Sequence, residues 1–291
     1  MNKAASELVL NPDGSVYHCN ILPEQLADLV ITVGDPDRVE KVSQYFDEIE
    51  FKTRKREIVT HTGSLNGRRI TVISTGMGTD NIDIVFSELD ALANIDLKTG
   101  EIKEDLRQLQ FVRLGTSGAL HQDIPVDSVV LSSHGLGMDG LLHFYEDSLM
   151  VRDLDMEEAF YEHADWDDSK AVPYVVKSST ELLEQLSSDQ TINGITATAL
   201  GFYGPQGRNL RLAPHPVDIN EILSSFSHND HRITNFEMET SGIYGLAAMM
   251  GHEALSVNCI VANRALGEFS KDSFKSVDKM IQYALEKLTN S

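Results

Sequence analysis

The sequence predicts an α/β fold, a three-layer αβα sandwich around a mostly parallel central sheet. Three observations predict it. Short apolar runs rich in β-forming residues recur along the chain, and several end in glycine. Segments with apolar residues at three- and four-residue spacing fall between them. No Pro/Gly/Ser-rich linker divides the 291 residues, so residues 1–291 read as a single domain. Continuous apolar strands suit a sheet covered on both faces, and strands alternating with helices make that sheet largely parallel.

The elements follow in order. Leu29 to Val33 is the first expected strand and stops at Gly34. Arg69 to Ser74 is the second, followed by Gly76 and Gly78. Gln110 to Leu114 is the third, followed by Gly115 and Gly118. Ser128 to Leu131, Gly194 to Thr198 and Leu255 to Ala262 complete the set. Ile82, Val85, Phe86, Leu89 and Leu92 mark one helix. Val277, Met280, Ile281, Ala284, Leu285 and Leu288 mark another near the C-terminus. Asp96 to Gln108 is polar and reads as a loop or short surface helix. Asp153 to Asp168 is acidic and reads as a solvated face or excursion.

Charge narrows the possible partners. With 24 Lys+Arg against 45 Asp+Glu, the formal net charge is −21. That field repels nucleic acid and anionic lipid, so neither is an expected partner. No apolar stretch approaches the length of a membrane span, and Met1 to Ala5 does not run into a signal-peptide apolar region. The two cysteines, Cys19 and Cys259, form no metal pattern or disulfide framework, so a cytoplasmic home is expected. An anionic ligand would need a local cationic pocket, and the strand-end turns can supply one.

In Gly34-Asp35-Pro36-Asp37-Arg38, Asp35 is a good N-cap and Pro36 suits the first helical position. Gly34 allows close backbone approach. Arg38 then falls in the first helical turn, an unfavourable place for a cation unless an anion is near. Ser74-Thr75-Gly76-Met77-Gly78 follows the second strand. Arg113-Leu114-Gly115-Thr116-Ser117-Gly118 closes the third, and reads as a turn offering a guanidinium, two hydroxyls and backbone N–H groups to a phosphate. The plainer reading of Arg113 is a structural ion pair. Three such turns at three strand ends favour an anion site beyond the C-terminal edge of the sheet.

Taken together, these turns with Arg56-Glu57, Phe236-Glu237-Met238-Glu239 and Asn263-Arg264 resemble the nucleoside phosphorylase superfamily, and within it the uridine phosphorylase branch. The resemblance runs from about Val16 to the C-terminal helix. It implies a twisted α/β sandwich with a distorted central barrel. It implies that phosphate is held by Gly34, Arg38, Arg113 and Thr116, with Arg56 supplied by a neighbouring subunit. Glu237, Met238 and Glu239 match the ribose-binding segment, where a carboxylate can accept from both hydroxyls of a cis-diol. His18, in Val16-Tyr17-His18, matches a segment that reaches a partner's ribose 5′-hydroxyl.

Gly201-Phe202-Tyr203-Gly204-Pro205-Gln206-Gly207-Arg208 resembles the uracil-reading loop of that branch. Gln206 offers an acceptor beside a donor, complementary to N3–H and a carbonyl of uracil. Arg208 suits the other carbonyl, and Phe202 gives an apolar wall. Purine phosphorylases of the superfamily carry an aspartate where Asn263 stands, which turns the expectation toward a pyrimidine. Arg113, Arg264, Gln206 and Arg208 are therefore the expected catalytic group. The expected reaction converts uridine and phosphate to uracil and ribose 1-phosphate.

No cofactor is implied. Related bacterial enzymes can place potassium at a dimer interface on a glutamate that Glu57 matches; the accompanying serine is Asn81 here and Met77 to Asp80 departs locally, which weighs against that ion without excluding it, and the phosphorolysis itself needs no metal. A homodimer or hexamer is implied. Three alternatives stand: a nucleosidase, a purine nucleoside phosphorylase, or a non-catalytic nucleoside-binding protein on the same fold. Arg38, Arg56 and Arg113 argue against the nucleosidase, because attacking water needs no cationic cage.

Overall fold

A computed structural model describes residue 4 and residues 6–290. The β-branched run Leu29–Val33 forms β1, buried along its whole length. Asp35 then caps α1 (Pro36–Ser43), its side chain accepting from the Asp37 N–H. A three-stranded antiparallel meander follows: β2 (Glu48–Lys55), β3 (Ile58–Leu65) and β4 (Arg68–Ser74). Next come α2 (Thr79–Asn94), the small hairpin β5 (Ile95–Asp96) and β6 (Glu101–Ile102), and the long strands β7 (Gln110–Ala119) and β8 (Val129–Gly137). The chain continues through α3 (Leu154–Ala164), β9 (Tyr174–Lys177), α4 (Thr180–Leu186) and β10 (Thr191–Thr198). Then follow α5 (Ile219–Ser225), β11 (Ser227–His228), β12 (His231–Glu237) and α6 (Thr240–Met249). It ends with β13 (Glu253–Asn263), β14 (Glu268–Phe269) and α7 (Ser273–Thr289).

The expected three-layer α/β architecture is present. Leu29, Ile31 and Val33 pack with α1, α4 and α7 on one face, whereas Val30 packs with α2 and α6 on the other. The sheet itself is mixed. Strands β4–β1–β7–β13 are parallel, as are β8–β10–β12, and the two blocks meet antiparallel at β13 and β8. An antiparallel contact between β12 and β7, pairing Phe236 with Gly118, closes β7, β13, β8, β10 and β12 into a distorted ring. The C-terminal ends of β1 and β4 come side by side, with Val33 opposite Ser74, and the end of β1 meets the middle of β7, with Thr32 opposite Arg113.

Three local expectations need correction. The segment Arg113 to Gly118 is not a turn. It is the second half of β7, paired with β13 from Gly115–Asn258 to Ala119–Asn263. Glycine there serves close approach: a Cβ on Gly115 would lie 1.8 Å from Arg113 Nη1, so the guanidinium can fold across the strand only because that carbon is absent. The polar stretch from Asp96 contains the β5–β6 hairpin, which Lys103 ties down by donating to Ala93 O of α2 at 2.7 Å. The acidic stretch from Asp153 holds α3, whose Met156 and Phe160 are buried in a third core with α5. No helix among the described residues is long and apolar enough to cross a membrane.

Candidate active site

Arg38 stands in the first turn of α1, half-buried at the end of β1. Its Nη1 donates to the Leu114 carbonyl at 3.2 Å. No carboxylate lies within ion-pair distance of it among the described residues. Burial pushes its pKa down, Asp35 partly opposes this, and neighbouring Arg113 adds to the fall. A guanidinium in this position stabilises any anion that reaches it.

Arg113 has the opposite surroundings. It is 5% exposed. Its Nη2 lies 2.5 Å from Glu239 Oε2 and 3.0 Å from Glu237 Oε2, and Nη1 donates to Asn258 Oδ1 at 2.8 Å. Burial alone would lower its pKa, but Glu237 and Glu239 outweigh that and raise it. Glu239 is the N-cap residue of α6, and its other oxygen accepts from Gly78 N–H at 2.8 Å. Gly78 reaches this position with φ +94, a conformation few other residues adopt. Burial and Glu237 push the Glu239 carboxyl above the usual range, against the pull of Arg113. Each Glu239 oxygen keeps a lone pair, so a diol can still bind.

Glu237 differs. Its oxygens accept from Thr198 Oγ1 (2.8 Å), Glu239 N–H (2.9 Å) and Thr240 N–H (3.0 Å), besides facing Arg113. It holds the start of α6 and fixes the Glu239 backbone. Met238 between them is half-buried, as is Thr116 on β7.

The expected base loop is built around a 3-10 turn, Gly204–Gln206. Arg208 donates from Nη1 to Phe202 O and to Gln206 Oε1, both at 2.6 Å, and its guanidinium carbon lies 3.7 Å from the Phe202 ring centroid. Burial, with Arg264 nearby, lowers the Arg208 pKa to about 10. Arg264 stacks near Phe236 at 5.6 Å, and its buried Nη1 has no hydrogen-bond partner among the described residues. Gln206 is buried, with its amide N–H₂ unused by Arg208. A cavity of about 890 Å³ adjoins this loop, lined by Tyr203 and Arg208 with Met138, Trp166, Leu212 and Pro214. Sequence reasoning missed it, because its walls come from separate elements.

The side chain of Asn263 is engaged with the backbone. Its amide donates to His121 O and Ile124 O, each at 2.8 Å, and its oxygen accepts from Leu266 N–H at 2.9 Å. Those partners require an amide, so the absence of an aspartate has a structural cause here.

His18 and Arg56 lie apart from this cluster but together, on a pocket of about 140 Å³ shared with Thr75 and Asn81. Arg56 is exposed at the β2–β3 turn, with φ 54. Glu88 of α2 holds the His18 backbone and ring, a partner that no local sequence signal marks. Glu57 is exposed, and Asn81 Nδ2 donates to Met77 O at 3.3 Å. No group of three or more His, Cys, Asp or Glu able to hold a metal occurs among the described residues.

A guanidinium with no ion-pair partner among the described residues, set near a carboxylate with free lone pairs, is an arrangement suited to bringing an anion to a sugar. The chain belongs to the phosphorylase superfamily, whose family profile matches residues 28–290. It is similar to a uridine phosphorylase of Thermococcus kodakarensis, 30% identical over 267 residues, covering 89% of this chain and 81% of the relative. It is also similar to a DeoD-type purine nucleoside phosphorylase of Actinobacillus succinogenes, 28% identical across 92% of this chain and 95% of the relative. Among solved structures, a Trypanosoma brucei nucleoside phosphorylase described as showing uridine phosphorylase activity matches with a TM-score of 0.86. It is 30% identical, over 98% of this chain and 100% of its own.

Proposed function

We propose that this chain is a pentosyltransferase that splits uridine with phosphate into uracil and ribose 1-phosphate, residues 1–291 acting as one domain. The observation that carries this reading is Arg38, a half-buried cation with no carboxylate within ion-pair distance among the described residues, its guanidinium held over β7 by the Leu114 carbonyl, next to Arg113 in sequence. Phosphate binds Arg38, Arg113, Thr116 and the Gly34 backbone, and Arg56 of a second subunit closes the site. Glu239 accepts from the ribose diol, and Met238 packs beside it. His18 of the second subunit meets the 5′-hydroxyl. Gln206 and Arg208 read the uracil edge, Phe202 covers the ring, and Arg264 supports the departing charge.

The chemistry needs no cofactor or metal. The C1′–N1 bond breaks with its electron pair going to uracil, leaving an oxocarbenium-like sugar. A phosphate oxygen held beneath C1′ supplies the new C1′–O bond. The proton that entered on hydrogen phosphate ends on uracil. The arginines act by position and by preorganised charge. Buried unpaired Cys19 and Cys259 suit a reducing, cytoplasmic setting.

The test is kcat/KM for uridine, thymidine, cytidine and inosine at saturating phosphate. Uridine is expected to exceed cytidine and inosine by roughly 10⁴, since a wrong edge leaves buried polar groups unpaired. Inosine as best substrate would make the purine relative the better guide and sink the pyrimidine reading. Base release without phosphate would point to a nucleosidase. The shared site, in a homodimer or hexamer, has its own check. Inactive Arg56→Ala and Arg208→Ala chains, mixed with proven subunit exchange, should regain activity, because one site of each heterodimer is intact. No regain counts against sharing.

A further inference from the structure

One carboxylate, that of Glu88, gathers the backbone N–H groups of His18 and Cys19 and one ring nitrogen of His18. Glu88, 15% exposed in its side chain, accepts from the His18 N–H at 2.8 and 2.9 Å through its two oxygens. It accepts from the Cys19 N–H at 2.7 Å and meets His18 Nδ1 at 2.7 Å. Hydrogen bonds to an ionised carboxylate are strong, and three donors on one group leave little freedom. The rest of the segment is also clamped. Val16 and Cys19 are fully buried, and Asn20 Nδ2 donates to Thr53 Oγ1 of β2 at 2.9 Å. Lys55 sits 4.0 Å from the Tyr17 ring centroid and donates to the Tyr17 carbonyl. The Tyr17 and His18 rings meet edge-on at 4.8 Å.

This geometry decides the chemistry of the histidine. An ionised carboxylate can only accept, so Nδ1 carries the ring proton. In the neutral ring Nε2 then presents a lone pair. The ring opens onto the pocket that holds Arg56. We infer that Glu88 is a positioning residue that fixes His18 as the Nδ1–H tautomer, so that Nε2 accepts a hydrogen bond from the nucleoside 5′-hydroxyl and selects for that hydroxyl. The inference rests on the reading of His18 given above. It goes further by naming the group that sets the tautomer and the substrate feature that depends on it.

The experiment compares uridine with 5′-deoxyuridine, at saturating phosphate, in the wild type, Glu88→Gln and His18→Ala. The glutamine amide can donate to Nδ1 and reverse the tautomer. In Glu88→Gln, kcat/KM for uridine should fall about tenfold, as for other groups that orient a ligating histidine, and 5′-deoxyuridine should change little. Equal losses on both substrates, or none, overturn the positioning role. If His18→Ala leaves the ratio of the two substrates intact, the underlying reading of His18 fails instead, and the inference with it. A measurement on the unaltered protein guards against a misfolded variant. The imidazole ¹⁵N signals of His18, assigned by their loss in His18→Ala, should give a protonated Nδ1 and a bare Nε2 at pH 8. A protonated Nε2 overturns the inference.

Discussion

Arg113 and Arg38 face the same corner of the sheet, and their surroundings are opposite. Arg113 is buried against two carboxylates that raise its pKa. Arg38 has a backbone carbonyl for company, and burial lowers its pKa. Counted as charges, Arg113, Glu237 and Glu239 together carry one net negative charge. That cluster by itself repels phosphate. Arg113 therefore acts first as the counter-ion that lets Glu239 be buried, at the position where the proposed reading puts the ribose. On the proposed reading, the positive charge that draws phosphate comes from Arg38 and from Arg56 of a second subunit. Two arginines that look equivalent in the sequence thus have different surroundings, and on the proposed reading Arg113 both organises the sugar wall and touches the phosphate, while Arg38 supplies the unbalanced charge.

The largest effect that can break this comparison is on stability. Arg113→Ala leaves Glu237 and Glu239 buried against each other with their cation gone. Removing one partner of a buried ion pair costs about 3–5 kcal/mol. Urea unfolding should reveal a loss of that size, along with the loss of activity. A variant that folds with wild-type stability and loses only phosphate affinity would mean that Arg113 is a simple phosphate ligand after all.

Much of the fold was legible. Strand β1 falls at Leu29–Val33, the expected run, because a continuous β-branched apolar segment has few alternatives. Periodicity likewise marked the buried faces of α2 and α7. The meander strands β2 and β3 were not legible. Strand β2 is largely exposed, and β3 carries Thr60, His61, Thr62 and Gly63 among its buried positions, so neither reads as an apolar run. The extension of β7 was misread because glycine signals both turns and close approach, and Arg113 supplies the reason for the second. At the site, residue types were legible and their partners were not. Glu88 lies 70 residues from His18, and Arg113 lies 126 from Glu239. Contacts at such separations are set by the sheet order. The amide of Asn263 is a related case: its residue type suggested base choice, while its three backbone partners give it a task within the fold.

A smaller effect sharpens the comparison from the other side. Arg38→Ala removes a half-buried cation that has no ion-pair partner among the described residues and that Asp35 offsets only in part, so the fold should lose little. Its melting temperature without phosphate should equal or slightly exceed that of the wild type, since a desolvated charge is gone. The cost should appear only when phosphate is present. A charge-assisted hydrogen bond to an anion is worth about 1.5–3 kcal/mol, which corresponds to roughly 10- to 150-fold in phosphate affinity. Phosphate should therefore raise the melting temperature of the wild type, through binding to the folded state alone, and raise that of the variant far less at the same concentration. Arg38→Lys should fall between the two, because it keeps the charge and loses the planar pair of donors. If Arg38→Ala destabilised the free protein as much as Arg113→Ala does, Arg38 would be part of the buried framework, and the division between the two arginines would fail. If phosphate still stabilised that variant at wild-type concentrations, the unbalanced charge would have to reside elsewhere at the strand ends.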